Sequence, residues 1–247
     1  MPRIPGALRA LLENLIDYAG LYPPAALPLP EVLRNYRTYL ASSESWMLNR
    51  LVLPAAKLPE VCLEPNWRVT LLVEAEPGSL PIQIETLETK LPRRLSLPTY
   101  CEAPVATIVG AFAKVRAGGL QPDAVPSSKS LADFLEQAHS HRMAFKATAG
   151  LHHPIRSLDP PMHGFVNLVV AAIFAWQRAP RDTLIEILDD PDPASFQFSD
   201  AQLRWRTRAA TTSQIQSARR NFAHSFGSCS FEEPLADLRA LGWLSSC

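Results

Sequence analysis

The chain has no net charge, since 24 lysines and arginines offset 24 aspartates and glutamates. That balance gives no electrostatic footprint for nucleic acid or an anionic membrane, so an anionic ligand would have to be held by a local cluster. There is no C-x-x-C pair. Cys62, Cys101, Cys229 and Cys247 are scattered, which predicts free thiols in a reducing compartment. The most apolar run, 164–176, falls short of the roughly 20 residues that span a bilayer, and the first residues lack the apolar core of a signal peptide. Internal repeats and low-complexity tracts are also missing. Together these absences predict a cytoplasmic, soluble protein with a small-molecule substrate and no membrane or nucleic-acid partner.

What the chain does contain is an ordinary globular share of hydrophobic residues, 47% of 247, enough for a substantial core. Its 23 prolines punctuate many short elements. Strand patterns are expected at 15–18, 46–53, 69–74, 82–85, 97–102, 111–115, 143–147 and 221–226. Helical spacing is expected at 7–12, 31–40, 126–139, 164–176, 182–188 and 234–241. Eight strands in this rhythm predict a single α/β domain over 1–247, an irregular (β/α)8 TIM-type barrel. Between strands seven and eight lies an oversized helical insertion, about 151–220, including a short strand at 196–198 and a polar helical stretch at 199–220. A segment of that size suggests an active-site cover or a subunit contact, which leaves a homo-oligomer open.

In a parallel barrel the C-terminal strand ends converge on one mouth. Here those ends carry Asp17, Glu74, Glu85, Glu102, Lys114, Arg116, Lys146, Thr148 and Ser228. The stretches Phe112-Ala-Lys-Val-Arg-Ala-Gly-Gly119 and Met143-Ala-Phe-Lys-Ala-Thr-Ala-Gly150 each run from strand through lysine to glycine, where backbone must approach something closely. Adjacent strands lie roughly 4.8 Å apart, so Lys114 and Lys146 could depress one another's pKa. The depressed amine could form a Schiff base with a carbonyl substrate while a strand-end carboxylate shuttles protons. The structural alternative is that each lysine pairs with a glutamate and holds the mouth together. Gly150, after strand seven, and Gly227, Ser228 and Ser230, after strand eight, fit a phosphate cup of backbone N–H groups and hydroxyls; they fit a helix cap equally well.

The sequences Ala113-Lys-Val-Arg-Ala-Gly-Gly119, Phe145-Lys-Ala-Thr-Ala-Gly150 and Ser225-Phe-Gly-Ser-Cys-Ser230 resemble the motifs of the deoxyribose-phosphate aldolase family, as does Leu15-Ile-Asp17. That family has a Schiff-base lysine in K-T-S-T-G, a second lysine in K-A-S-G-G-I-R on the next strand, and an R-x-G-x-S-S phosphate turn. The resemblance implies a class I aldolase or lyase without a cofactor. Lys114 would be the Schiff-base residue, Lys146 the cation beside it, and Glu85 the counterpart of the family's strand-four aspartate. This chain departs from the family in having Val-Arg-Ala after Lys114 and Leu151-His-His where the family has Ile-Arg.

A different chemistry is offered by His152, His153 and His163. With a strand-end glutamate they could assemble a site for zinc or a similar divalent metal, serving a hydrolase or isomerase. No H-x-H or H-E-x-x-H spacing supports it, and His152 would otherwise contact substrate. A third alternative is a non-catalytic barrel acting as a binding or assembly protein.

Overall fold

The computed structural model describes residues 4–119 and 121–245, so Cys247 lies outside the described residues. The elements run in the order α1 (Gly6–Leu12), β1 (Ile16–Tyr18), α2 (Leu29–Leu40), β2 (Leu48–Pro54), β3 (Val69–Leu72), β4 (Ile84–Thr89), β5 (Thr99–Cys101) and β6 (Phe112–Arg116). They continue with α3 (Ser128–Ser140), β7 (Phe145–Thr148), β8 (Ser157–Leu158), β9 (Pro161–Met162), α4 (Phe165–Trp176) and α5 (Arg181–Asp189). The chain closes with β10 (Phe196–Phe198), β11 (Gln202–Trp205), β12 (Arg208–Thr211), α6 (Thr212–Asn221), β13 (Ala223–Ser228) and α7 (Glu232–Ala240).

Eight strands close a barrel in the order β1-β13-β7-β6-β5-β4-β3-β2, all paired in parallel. This is a (β/α)8 TIM-type barrel, and it is irregular. The connections from β2 through β6 hold 3-10 turns and loops in place of α-helices, so the helical coat is thick on one side only. All eight expected strands are present. The fourth is displaced: the expected 82–85 begins in a turn closed by Ile84 N–H to the Pro81 carbonyl, Ile82 is 92% exposed, and the strand runs on to Thr89.

Alternation along these strands puts apolar residues outward, where Ile16, Leu71, Leu87, Ala113, Phe145 and Phe226 join the core beneath helices and loops. The barrel interior is polar. Asp17, Glu88 and Lys146 come from strands that are not neighbours, yet they touch, and they can do so only across the lumen.

The segment 151–220 departs from expectation in two ways. Its core helix α4 is buried over Phe165–Ala175, clasped by α3, α5 and α6 and stacked on β13 through Phe165 and Phe226, ring centroids 4.9 Å apart. The segment therefore thickens the barrel wall, and only its first residues reach the C-terminal mouth. The expected helix at 199–220 is half hairpin. Arg206 takes a left-handed turn (φ 50°) between β11 and β12, and α6 begins at a capping box made by Thr211 and Gln214. Asn167 serves as a structural bracket, accepting from Arg156 N–H and donating to the carbonyls of Ile187 and Asp190. No described helix is long and apolar enough to cross a membrane.

Candidate active site at the C-terminal mouth

Lys114 and Lys146 are direct register partners on β6 and β7. Their loops are joined as well: a Cβ on Gly118 would meet Gly150 Cα at 2.8 Å, and Gly150 holds φ +68°. What each glycine approaches so closely is therefore the other loop. Inside the barrel both ammonium groups converge on Glu88 of β4. Lys146 Nζ binds Oε1, and Lys114 Nζ lies 2.7 Å from Oε2. Lys146 also meets Asp17 Oδ2 at 2.5 Å, and Lys114 meets Glu102 Oε2 at 3.3 Å. Asp17 is fixed in turn by Ser225 Oγ–H at 2.8 Å and by Asn49 Nδ2–H at 2.6 Å. The result is a column of alternating charge along the barrel axis, from Asn49 through Asp17, Lys146, Glu88 and Lys114 to Glu102, with Arg116 3.9 Å beyond.

Burial and charge divide the two lysines. Lys146 is 1% exposed; burial alone would lower its pKa, but Asp17 and Glu88 hold it above the ordinary value, so it is a locked cation. The expected mutual depression is absent at Lys146. Burial would likewise raise Glu88, yet Lys146 and Lys114 bring it down to about 2. Lys114 is 10% exposed and stands nearer the opening, beside the 25%-exposed Glu102.

Glu88 lies beyond the expected strand at 82–85, which points to Glu85 instead; the strand itself runs from Ile84 to Thr89. Glu85 does not join the lysines: it sits near the opposite end, held by Arg50 Nε at 2.8 Å and Arg68 Nε at 3.0 Å. Tyr22, in the loop after β1, also gave no sequence signal. Its buried hydroxyl has no hydrogen-bond partner among the described residues, and burial together with the charge of Glu88 raises its pKa while Lys146 opposes the shift. An unpaired buried hydroxyl is costly and points to a group that would complete it.

The remaining expected residues flank the cluster. Thr148 and Gly227 are register partners, and a Cβ on Gly227 would meet Thr148 Oγ1 at 3.3 Å. Ser228 Oγ accepts from Ser230 N–H, and Ser230 Oγ from Glu233 N–H, so both hydroxyls serve the turn into α7. His152, whose pKa is raised first by a hydrogen bond with Cys229, also pairs with Glu233 Oε2 at 3.2 Å. His153 pairs with Asp237 at 2.6 Å, and His163 donates from Nε2 to the Pro126 carbonyl at 2.7 Å. His152 and His153 lie side by side against α7, ring centroids 6.4 Å apart, while His163 turns to Pro126; among the described residues no three His, Cys, Asp or Glu side chains gather as a metal site. The described cysteines are free thiols, exposed at Cys62 and buried at Cys101 and Cys229.

The opposite, N-terminal mouth is an open cleft of about 520 Å³. Its charged lining is four arginines, Arg50, Arg68, Arg219 and Arg220, against two glutamates, Glu13 and Glu85. Arg219 is buried and pinned to backbone carbonyls, including Leu11 at 2.9 Å and Glu13 at 3.0 Å; burial pushes its pKa down to about 10, so it stays charged at neutral pH. His224 Nε2 lies 3.1 Å from the Arg220 carbonyl, which can only accept, so Nδ1 accepts from Tyr100 O–H at 2.8 Å. Burial pushes the His224 pKa down to about 4, against which its bond to Arg220 works weakly.

No protein-family model, curated protein or solved structure matches this chain.

Proposed function

We propose that this protein is a small-metabolite enzyme that activates a carbonyl substrate as a Schiff base on Lys114, in the manner of a class I aldolase or lyase. The supporting observation is the single carboxylate of Glu88 shared by an immobilised ammonium, Lys146, and a second one nearer the opening, Lys114. Lys146, clamped by Asp17, keeps Glu88 in place and keeps positive charge beside the reacting nitrogen throughout. Lys114 gives up a proton to Glu102 and attacks the carbonyl carbon. The carbinolamine loses water to form the protonated imine, and Glu102 moves the protons of that step and of the enamine. With its pKa near 2, Glu88 is too weak a base to share this shuttle and acts as a fixed counter-charge. The Tyr22 hydroxyl, unpaired among the described residues, can donate to the substrate oxygen. The strand-four acid in this reading is Glu88, in place of the expected Glu85.

Incubation with a short aldehyde or ketone and borohydride tests the reading. A reduced adduct is expected on Lys114 by peptide mass analysis, absent in Lys114→Met and absent from exposed Lys90 and Lys129. Adducts spread evenly over surface lysines, or none at all, would overturn it. The near-complete burial of the lysines favours a second reading, an ion network that only braces a binding barrel. In that case Lys114→Met changes stability and no adduct forms on the native protein.

A further inference from the structure

Three of the barrel's strand pairings slip register, and all three do so at the N-terminal end. Between β1 and β2, Ile16 and Tyr18 pair with Leu48 and Leu51, leaving one extra residue at Asn49 and Arg50. Between β3 and β4, Val69 and Thr70 pair with Ile84 and Thr86, leaving Glu85 extra. Between β13 and β7, Ala223 and Ser225 pair with Phe145 and Lys146, leaving His224 extra. A bulge re-aims a side chain that regular alternation would send to the other face. Asn49, Arg50, Glu85 and His224 all line the N-terminal cleft as a result.

The cleft has two unlike walls. One is aromatic, with Tyr100, Phe112 and His224 packed edge to face or tilted at centroid distances of 5.2–5.9 Å. The other is cationic. Arg50 and Arg68 spend their Nε groups on Glu85, and hydrogen bonds from the Arg50 Nη atoms are absent among the described residues. Arg220 is exposed, lines the cleft, and has no side-chain partner among the described residues. Formal charge on the lining is four positive against two negative, and a concave low-dielectric wall focuses such a field. Guanidinium forks match carboxylate and phosphate oxygens in pairs, and a volume of this size suits a small organic ligand.

We propose that the N-terminal cleft is a binding site for a small oxyanion, a carboxylate or phosphate, carried on a flat apolar ring. The anion bridges Arg50 and Arg220, and the ring lies against the wall of Tyr100, Phe112 and His224. This site meets the lysine cluster at Asn49, which holds Asp17, and at the Tyr100 ring, 5.7 Å from Lys146 Nζ, but it does not depend on the chemistry assigned to Lys114.

Isothermal titration with phenyl phosphate, benzoate and inorganic phosphate tests it. One saturable site is expected for phenyl phosphate or benzoate, tighter than for inorganic phosphate. Arg220→Ala, which removes an exposed side chain with no partner among the described residues, should weaken it at least tenfold, as should Arg50→Met. Lys114→Met should leave it unchanged. The proposal fails if none of the probes binds, if both arginine variants bind as the native protein does, or if Lys114→Met weakens binding equally. The borohydride result at Lys114 leaves it untouched either way.

Discussion

The two ends of this barrel solve the same problem in opposite ways. At the C-terminal mouth, charges of both signs are packed against one another until each carboxylate has an ammonium and little is exposed. At the N-terminal mouth, bulges turn charged side chains into an open cleft and leave an excess of arginine. The first arrangement spends its electrostatics internally, and the second directs them outward. Burial decides between them: in a dry interior an unpaired charge costs several kcal/mol, whereas at an open cleft water absorbs the difference.

The largest effect that would sharpen this contrast is expected from Lys146→Met. It strands Asp17 as a buried carboxylate without a cation, leaves Glu88 to Lys114 alone, and should cost about 3–5 kcal/mol in urea unfolding. Arg220→Ala at the open end should cost almost nothing in the same assay, and comparable losses would erase the distinction.

Acid separates the ends next. Glu88 has a folded pKa near 2, below its ordinary value, so its stabilisation is complete above the unfolded pKa and fades as pH falls toward 2. The loss over that window should be about 3 kcal/mol, and Glu88→Gln should flatten it. His224 titrates at the other end. Its folded pKa near 4 lies below the ordinary 6.5, so the unfolded chain takes up the proton first and stability falls as pH drops from 6.5 through 4. The step should be on the order of 2 kcal/mol, reduced because the ring borders an open cleft, and His224→Phe should remove it. A single acid transition insensitive to both variants would contradict the two-ended picture.

The C-terminal mouth was more legible in the sequence than the N-terminal one, and the reason is geometric. Lysine, arginine and acid at the ends of otherwise apolar strands stand out one strand at a time, so Asp17, Glu102, Lys114 and Lys146 could be collected without knowing which strands face each other. Choosing Glu88 over Glu85 required the start of β4, which a turn at Pro81 sets and alternation alone does not. The cleft stayed hidden because bulges violate the period of two from which strand faces are read. Arg50, Arg68 and His224 come to line it from three different strands or strand ends. Tyr22 sits in a proline-rich loop with no periodicity to place it. The helix at 199–220 failed for a related reason: a left-handed residue at Arg206 folds a polar stretch back on itself, and polarity carries no helical face there.

The contact between Gly118 and Gly150 bears on access. Loops touching backbone to backbone after neighbouring strands cannot part separately without breaking their shared seam. On that side the rim behaves as one hinge-free edge, so the two lysines share a fixed spacing however the cluster is loaded. Entry to the lysines then falls to the rest of the rim, which includes the loop after β1 that carries Tyr22, with β13 alone between β1 and β7. The door of this barrel and its frame are built from different strands.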